Sequence, residues 1–297
     1  MQAASLGQRL EPAALRATLG GMKLPLFDRA PRVAVVRLQG VIAPRANGLA
    51  GPTLSAAALD PVLERAFGLK RLAAVVLAVN SPGGSPAQSS LIAARIRQLA
   101  GKKKVPVIAC VEDAAASGGY WLACAADEIV ADPTSIIGSI GVIAAGFGFE
   151  EAIARLGIER RLVTAGEDKS FLDPFRPADP AQQERLRELM DALHHEFISW
   201  VEERRGGRLR REGEPLFTGR FWTGRRALEL GLVDRLGDLR GEVTRRFGER
   251  AVIVPLGARR PRLPWRLLSG AALDPAGSVE GALAAAEARA TWGRIGL

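Results

Sequence analysis

Between residues 32 and 111 the chain alternates two kinds of run. VAVVRLQ (33–39), AAVVLAV (73–79) and PVIACV (106–111) are apolar at consecutive positions, without the every-second-residue pattern of a half-exposed strand. Such runs suit strands covered on both faces. Between them, residues 56–68 and 86–100 carry helical patterns. Strands alternating with helices predict βαβ units, hence an α/β fold with a mainly parallel sheet. Further β-type runs occur at 128–131, 140–143 and 160–164. A long helix is expected from about Pro180 to Arg205, and 217–234 reads as a turn, a short helix and a return.

The helix beginning at Pro86 carries the clearest local signals. Ser85 is placed as N-cap, Pro86 suits the first turn, Gln88 completes a capping box, and Lys102 to Lys104 sit near the negative helix end. Residues 1–30 read as an N-terminal appendage with an amphipathic helix around Leu6 to Leu19, residues 31–248 as the main domain and 249–297 as a C-terminal tail. There is no internal repeat.

Composition narrows the function classes. The chain has 297 residues, 47% hydrophobic and 25% charged, the profile of a globular protein. The net charge of +9 comes from basic residues interleaved with acidic ones. With five Trp and one Tyr, no base-stacking platform is visible and nucleic acid is not an expected partner. Cys110 and Cys124 lack metal-ligand or disulfide-framework spacing and read as buried thiols. Residues 1–27 contain no continuous apolar stretch, so neither a secretory signal nor a membrane anchor is read there. The uncharged runs Leu72 to Ala94 and Pro133 to Phe149 are interrupted by Pro, Gly and polar residues, unlike a spanning helix. The expected compartment is the cytoplasm, with peripheral membrane contact through the basic N-terminal helix as the alternative to its packing on the body.

Three segments place small or polar residues at the ends of apolar strands, where α/β sheets bind ligands: Asn80 to Gly84, Ala114 to Tyr120 and Gly138 to Gly141. In the second, a strand passes into a helix through residues almost without side chains, and Ser117 is the one nucleophile among them. A helix start there could hold an oxyanion; a tight helix–sheet contact with an incidental serine reads equally well. NSPGG (80–84) is a turn by composition, or a backbone strip whose amides complete an oxyanion hole. The only histidines, His194 and His195, fall on a polar helix and are expected at the surface, so a Ser-His-Asp triad is not expected. A lysine can act as base where burial favours its neutral amine. Only six of the 41 basic residues are Lys, and Lys169 precedes apolar Phe171, Leu172 and Phe175, although Glu167 and Asp168 stand beside it.

NSPGG (80–84), ASGGYW (116–121), GSIGV (138–142), DKSFLDPF (168–175) and GRFWTGRRALELGLVD (219–234) resemble, in order, the motifs of the signal peptide peptidase A family of Ser-Lys proteases. The resemblance spans roughly residues 32–245. It implies a ClpP/crotonase-like spiral of ββα units with a C-terminal helical extension. It also implies Ser117 as nucleophile, Lys169 as general base, Ser139 as the hydroxyl orienting the lysine, and Gly84 and Gly118 as oxyanion donors. No metal or organic cofactor is implied. The implied substrates are unfolded or signal-peptide-like peptides, and the implied assembly is a homo-oligomeric ring in which neighbouring protomers can share a site. Family members commonly carry an N-terminal membrane anchor, which is not read here. Two alternatives remain open at the level of sequence: a crotonase-type acyl-CoA enzyme using Glu112 or Asp113, and a catalytically silent membrane-surface scaffold.

Overall fold

A computed structural model describes residues 30–44, 53–166, 168–210, 213–257, 286 and 289–296. The chain divides into two units, Met1–Ala30 and Pro31–Leu297, and the fold below is that of the second. The helix expected around Leu6 to Leu19 lies outside the described residues.

The elements in chain order are β1 (Arg32–Gln39), β2 (Val41–Ile42), β3 (Thr53–Leu54), α1 (Ala56–Phe67), β4 (Leu72–Ser81), α2 (Pro86–Lys103), β5 (Val107–Ala116) and α3 (Gly118–Ala123). There follow β6 (Glu128–Ala131), β7 (Ile136–Gly138), α4 (Glu150–Arg155), α5 (Pro180–Arg205), β8 (Phe221–Thr223), α6 (Gly224–Glu229), β9 (Arg235–Leu236), α7 (Leu239–Phe247) and β10 (Val252–Leu256). The main sheet runs β10-β1-β4-β5-β6-β9, with every one of these pairs parallel. β7 continues along the far end of β5 and takes β8 as an antiparallel neighbour. This is the mainly parallel α/β architecture that the alternating runs predict.

The continuous apolar runs hide a division of labour. On β4, Val75, Leu77 and Val79 enter the cluster shared with α1, α2 and α3, while Ala74, Val76 and Ala78 enter the one covered by α7. Each face needs its own apolar set, and burying a Val or Leu side chain contributes about 1.5–3 kcal/mol. The stretch read as a C-terminal tail supplies the edge strand β10, paired to β1 from Arg32↔Val252 onward.

Three local expectations change. Residues 140–143 form no strand; β7 ends at Gly138, where Gly138 (φ 116°) and Ser139 (φ 54°) turn the chain. Residues 160–164 are exposed and irregular, because no sheet edge lies beside them to pair their β-type sequence. Ser85 does cap α2, accepting from the Gln88 amide at 3.4 Å, but Gln88 does not return the bond. The Gln88 carboxamide accepts from Ala56 N–H at 2.8 Å, and Ser85 N–H donates to Ile42. Gln88 thus ties the start of α1 to the start of α2.

The long helix α5 is fixed to α3 and to the chain after α6. Phe197 stacks on Trp121 at 4.8 Å, Trp200 donates to the Trp121 carbonyl, and Arg204 donates to the carbonyls of Cys124 and Ala126. Arg205, buried, reaches the Gly231 carbonyl and the Asp234 carboxylate, the latter at 2.6 Å.

α7 carries an ionic cluster centred on the buried Glu242. Burial acts on Glu242 to raise its pKa and is the largest single influence, but hydrogen bonds from Arg245, Arg246 and Arg235 outweigh it and hold the carboxyl at about 2, below its ordinary 4.5. A carboxyl depressed on folding contributes stability above its unfolded pKa and loses that contribution as pH falls through the folded value. Thermal melts between about pH 6 and pH 2 should therefore show Tm falling across this window. Glu242→Gln should flatten the fall and lower Tm at neutral pH, where the depressed carboxyl contributes fully. An unchanged pH profile would show that the cluster stabilises nothing.

Candidate active site

β5 delivers the chain to Ser117, the residue between the last strand position, Ala116, and the first of α3, Gly118. Ser117 has φ 52° and ψ −123°, a conformation that costs a side-chain-bearing residue on the order of 1–3 kcal/mol. The surroundings hold it there. Its N–H donates to the Gly138 carbonyl at 2.8 Å, and its carbonyl accepts from Tyr120 and Trp121. The Tyr120 hydroxyl is buried and donates to the Leu232 carbonyl at 2.8 Å, pinning α3 from beneath. The glycines are required by close approach: a Cβ at Gly118 would sit 2.4 Å from Ser89 Oγ, and one at Gly119 would sit 2.4 Å from the Ser81 carbonyl oxygen. A strained strand-to-helix turn that presents a serine is a geometry suited to nucleophiles.

The Asn80–Gly84 strip crosses in front of this turn. Ile42 N–H donates to the Gly83 carbonyl and Ser85 N–H donates to the Ile42 carbonyl, both at 2.8 Å. In such a parallel bridge the residues flanking Gly84 make the bonds, so the Gly84 N–H faces away from Ile42. The Gly84 nitrogen lies 3.4 Å from where a Cβ on Gly118 would be.

The third segment brings in Ser139. Its N–H donates to the Arg220 carbonyl at 2.7 Å, and the next carbonyl, of Ile140, accepts from Gly219 N–H at 3.0 Å. Ser117, Ser139, Gly84 and Gly118 line one cavity of about 750 Å³, together with Trp121, Phe197 and Ile143. Cys110 and Cys124 are both buried, and burial pushes each thiol up to about 12. Neither thiol lines the cavity that holds Ser117.

Lys169 does not line that cavity. It is exposed in the turn that follows Gly166, beside Asp168, whose carboxylate pairs with Arg185. The chain between Gly141 and Phe175 also exposes large apolar side chains, among them Ile143, Phe147, Leu156 and Val163, the last almost fully. Glu112 and Asp113 line a different cavity, of about 960 Å³, with Cys110 and Asp238. Glu112 is held by Arg37 at 2.9 Å, and Asp113 accepts from the Asn80 side-chain amide at 2.5 Å.

Two sets of cavity residues were not expected from the sequence. His194, on α5, is half-buried in the cavity wall with Nε2 3.2 Å from the Ile140 carbonyl oxygen, whereas His195 is exposed as anticipated. The signal available was the stripe Leu193, Phe197, Trp200 and Val201 at helical spacing, which marks the face that α5 turns inward and at whose edge His194 stands. Thr291, Arg294 and Ile295 also line the cavity, and Ile295 packs on Ala114 and Ala116 under the Ser117 turn.

Comparison with known proteins adds family information. The model of "Peptidase family S49" matches residues 100–251. A protein of Brucella abortus named Na(+)/H(+) antiporter NhaA is 44% identical over 312 residues, covering 100% of this chain and 42% of that protein. The chloroplastic serine protease SPPA of Arabidopsis thaliana is 31% identical over 212 residues, covering 70% of this chain and 31% of that protein. This chain thus spans less than half the length of either relative. No helix among the described residues is long and apolar enough to cross a membrane. A solved structure of the 1510-N membrane-bound stomatin-specific protease, a variant in complex with a substrate peptide, aligns with TM-score 0.48 and 18% identity, covering 81% of this chain and 97% of that one.

Proposed function

From the premise that the chain belongs to peptidase family S49, we propose that it is a serine endopeptidase using Ser117 as nucleophile and Lys169 as general base. The observation that carries this reading is the Ser117 turn itself: a serine held in a strained conformation at a strand–helix junction, opening into a cavity edged by the Gly84 and Gly118 backbones.

The chemistry is acyl transfer. The neutral Lys169 amine takes the Ser117 hydroxyl proton as Oγ attacks the scissile carbonyl, and the amides of Gly84 and Gly118 hold the developing oxyanion. The ammonium then protonates the leaving amine. Water gives a proton to the same amine as it attacks the acyl-enzyme, and the ammonium passes that proton to the departing Ser117 Oγ, restoring both groups. The Ser139 hydroxyl orients the lysine. No metal or organic cofactor enters.

The substrates are unfolded or signal-peptide-like peptides, met in the cytoplasm or at the membrane periphery, and nucleic acid has no part. Lys169 is supplied to Ser117 by a neighbouring copy in a homo-oligomeric ring. Exposure of Lys169 and of the apolar side chains between Ile143 and Phe175 supports this arrangement, since a second copy covering that surface would also desolvate the amine. The acyl-CoA reading finds less support, because Glu112 and Asp113 line a separate cavity and are engaged by Arg37 and Asn80.

A fluorophosphonate probe, followed by peptide mass spectrometry, should label Ser117 and stop hydrolysis of an unfolded protein substrate. Hydrolysis that persists after complete labelling, or labelling at another serine, would overturn the assignment.

A further inference from the structure

α5 touches both halves of the site. Through Phe197 and Trp200 it is fixed to Trp121, in the helix that starts next to Ser117. One turn earlier it reaches the Ser139 segment through His194, whose Nε2 lies 3.2 Å from the Ile140 carbonyl oxygen.

That segment needs holding. Ser139 has φ 54°, unfavourable for a residue with a side chain, and follows Gly138 at φ 116°. On its near side the segment is tied to the Ser117 turn, since the Gly138 carbonyl accepts from Ser117 N–H at 2.8 Å and β7 pairs with β5, while Ser139 N–H to Arg220 and Gly219 N–H to Ile140 run to adjacent residues of one segment. Before Ser139 the backbone is thus set by Ser117 itself, whereas after it Ile140 is tied to the 219–220 segment, which belongs to neither α3 nor α5. The bond from His194 ties the Ile140 side of the segment to the helix clamped on α3.

We propose that His194 is a positioning residue. Its Nε2–H donates to the Ile140 carbonyl and so holds the chain just after Ser139, which sets the direction of the Ser139 hydroxyl beside Ser117. A carbonyl only accepts, so the contact fixes the imidazole proton on Nε2 and leaves Nδ1 as the acceptor in the neutral ring. His194 does not touch the reacting atoms; it acts through Ser139. This role rests on the reading of Ser117 as a peptidase nucleophile with Ser139 at its side.

The test uses two substitutions in the full chain. His194→Leu removes the donor at similar bulk, and His194→Gln keeps an N–H donor at comparable reach. His194→Leu should lower kcat about tenfold with KM within about twofold, the worth of one hydrogen bond. His194→Gln should stay within about threefold of the parent. In a Ser139→Ala background His194→Leu should add little, because the hydroxyl it positions is gone. Hydrogen exchange of residues 138–142, followed by mass spectrometry, should speed up in His194→Leu and not in His194→Gln.

The proposal is overturned if His194→Leu keeps full kcat, if its loss is undiminished in Ser139→Ala, or if exchange in 138–142 is unchanged. The exchange measurement requires no catalysis. Failure of Ser117 to label in the parent protein would count against the peptidase reading, while normal labelling with unchanged exchange would count against His194 alone.

Discussion

Ser117→Ala and Lys169→Ala each lose peptide hydrolysis by about a thousandfold or more, and co-expression of the two inactive chains restores part of it. The first half of this result follows from the chemistry. Without the hydroxyl there is no acyl-enzyme, and without the amine nothing takes the serine proton; nucleophile and base act as a unit whose single losses are of this order. The second half follows from geometry. Ser117 lines its cavity with Gly84, Gly118 and Ser139, whereas Lys169 is exposed outside it. If each site combines a serine from one copy with a lysine from the next, random mixing leaves about one site in four with both groups intact. Activity of mixed rings near a quarter of the parent value, against none for either chain alone, is the expected reading. Complete absence of rescue, in mixtures shown by mass to contain both chains in one particle, would place the dyad within a single copy. Lys169→Arg should be as inactive as Lys169→Ala, since a guanidinium does not give up its proton.

How much of this was visible in the chain depends on whether a feature is local. Val33 to Val36, Ala74 to Val79 and Val107 to Val111 announced central strands because a sheet covered on both faces needs apolar side chains at every position. The small residues around Ser117 were visible for a related reason. Backbone packs on backbone there, and Gly118 and Gly119 have no room for a Cβ. The 140–143 run misled because its apolar letters suit a strand, while the turn at Gly138 and Ser139 is made by long-range bonds to Arg220 and Gly219. Residues 160–164 misled because β-type side chains make a strand only beside an edge that accepts it. His194 lay hidden for the opposite reason: the stripe that turns α5 inward is readable, but only the docking of α5 on Trp121 brings its edge to Ser139. Whether Lys169 meets Ser117 within one copy or across two, as proposed, would be a property of an assembly, and no spacing within one chain encodes it.

Gly84→Ala is the second substitution with a large expected effect, and it probes the oxyanion strip without touching the dyad. Gly84 has φ 141°, and an added Cβ would lie 2.1 Å from the Ile42 carbonyl oxygen. Ile42 cannot retreat. It is buried and paired with Leu54 of β3, while its bonds to Gly83 and Ser85 belong to the strip and lengthen as the strip moves. The strip itself must therefore shift away from β2, carrying the Gly84 N–H off the line on which it faces the Ser117 site. Loss of one oxyanion donor costs about a hundredfold to a thousandfold in kcat, with KM far less affected, because the donor is strongest against charge that develops in the transition state. Gly101→Ala supplies the control. Gly101 lies in α2 with nothing within 4 Å of its added Cβ, so alanine there should raise stability by about 0.5–1 kcal/mol and leave kcat alone. A Gly84→Ala protein that melts near the parent temperature yet has lost kcat would assign the loss to the amide. One that keeps kcat within about threefold would remove Gly84 from the oxyanion hole and leave Gly118 to act without it.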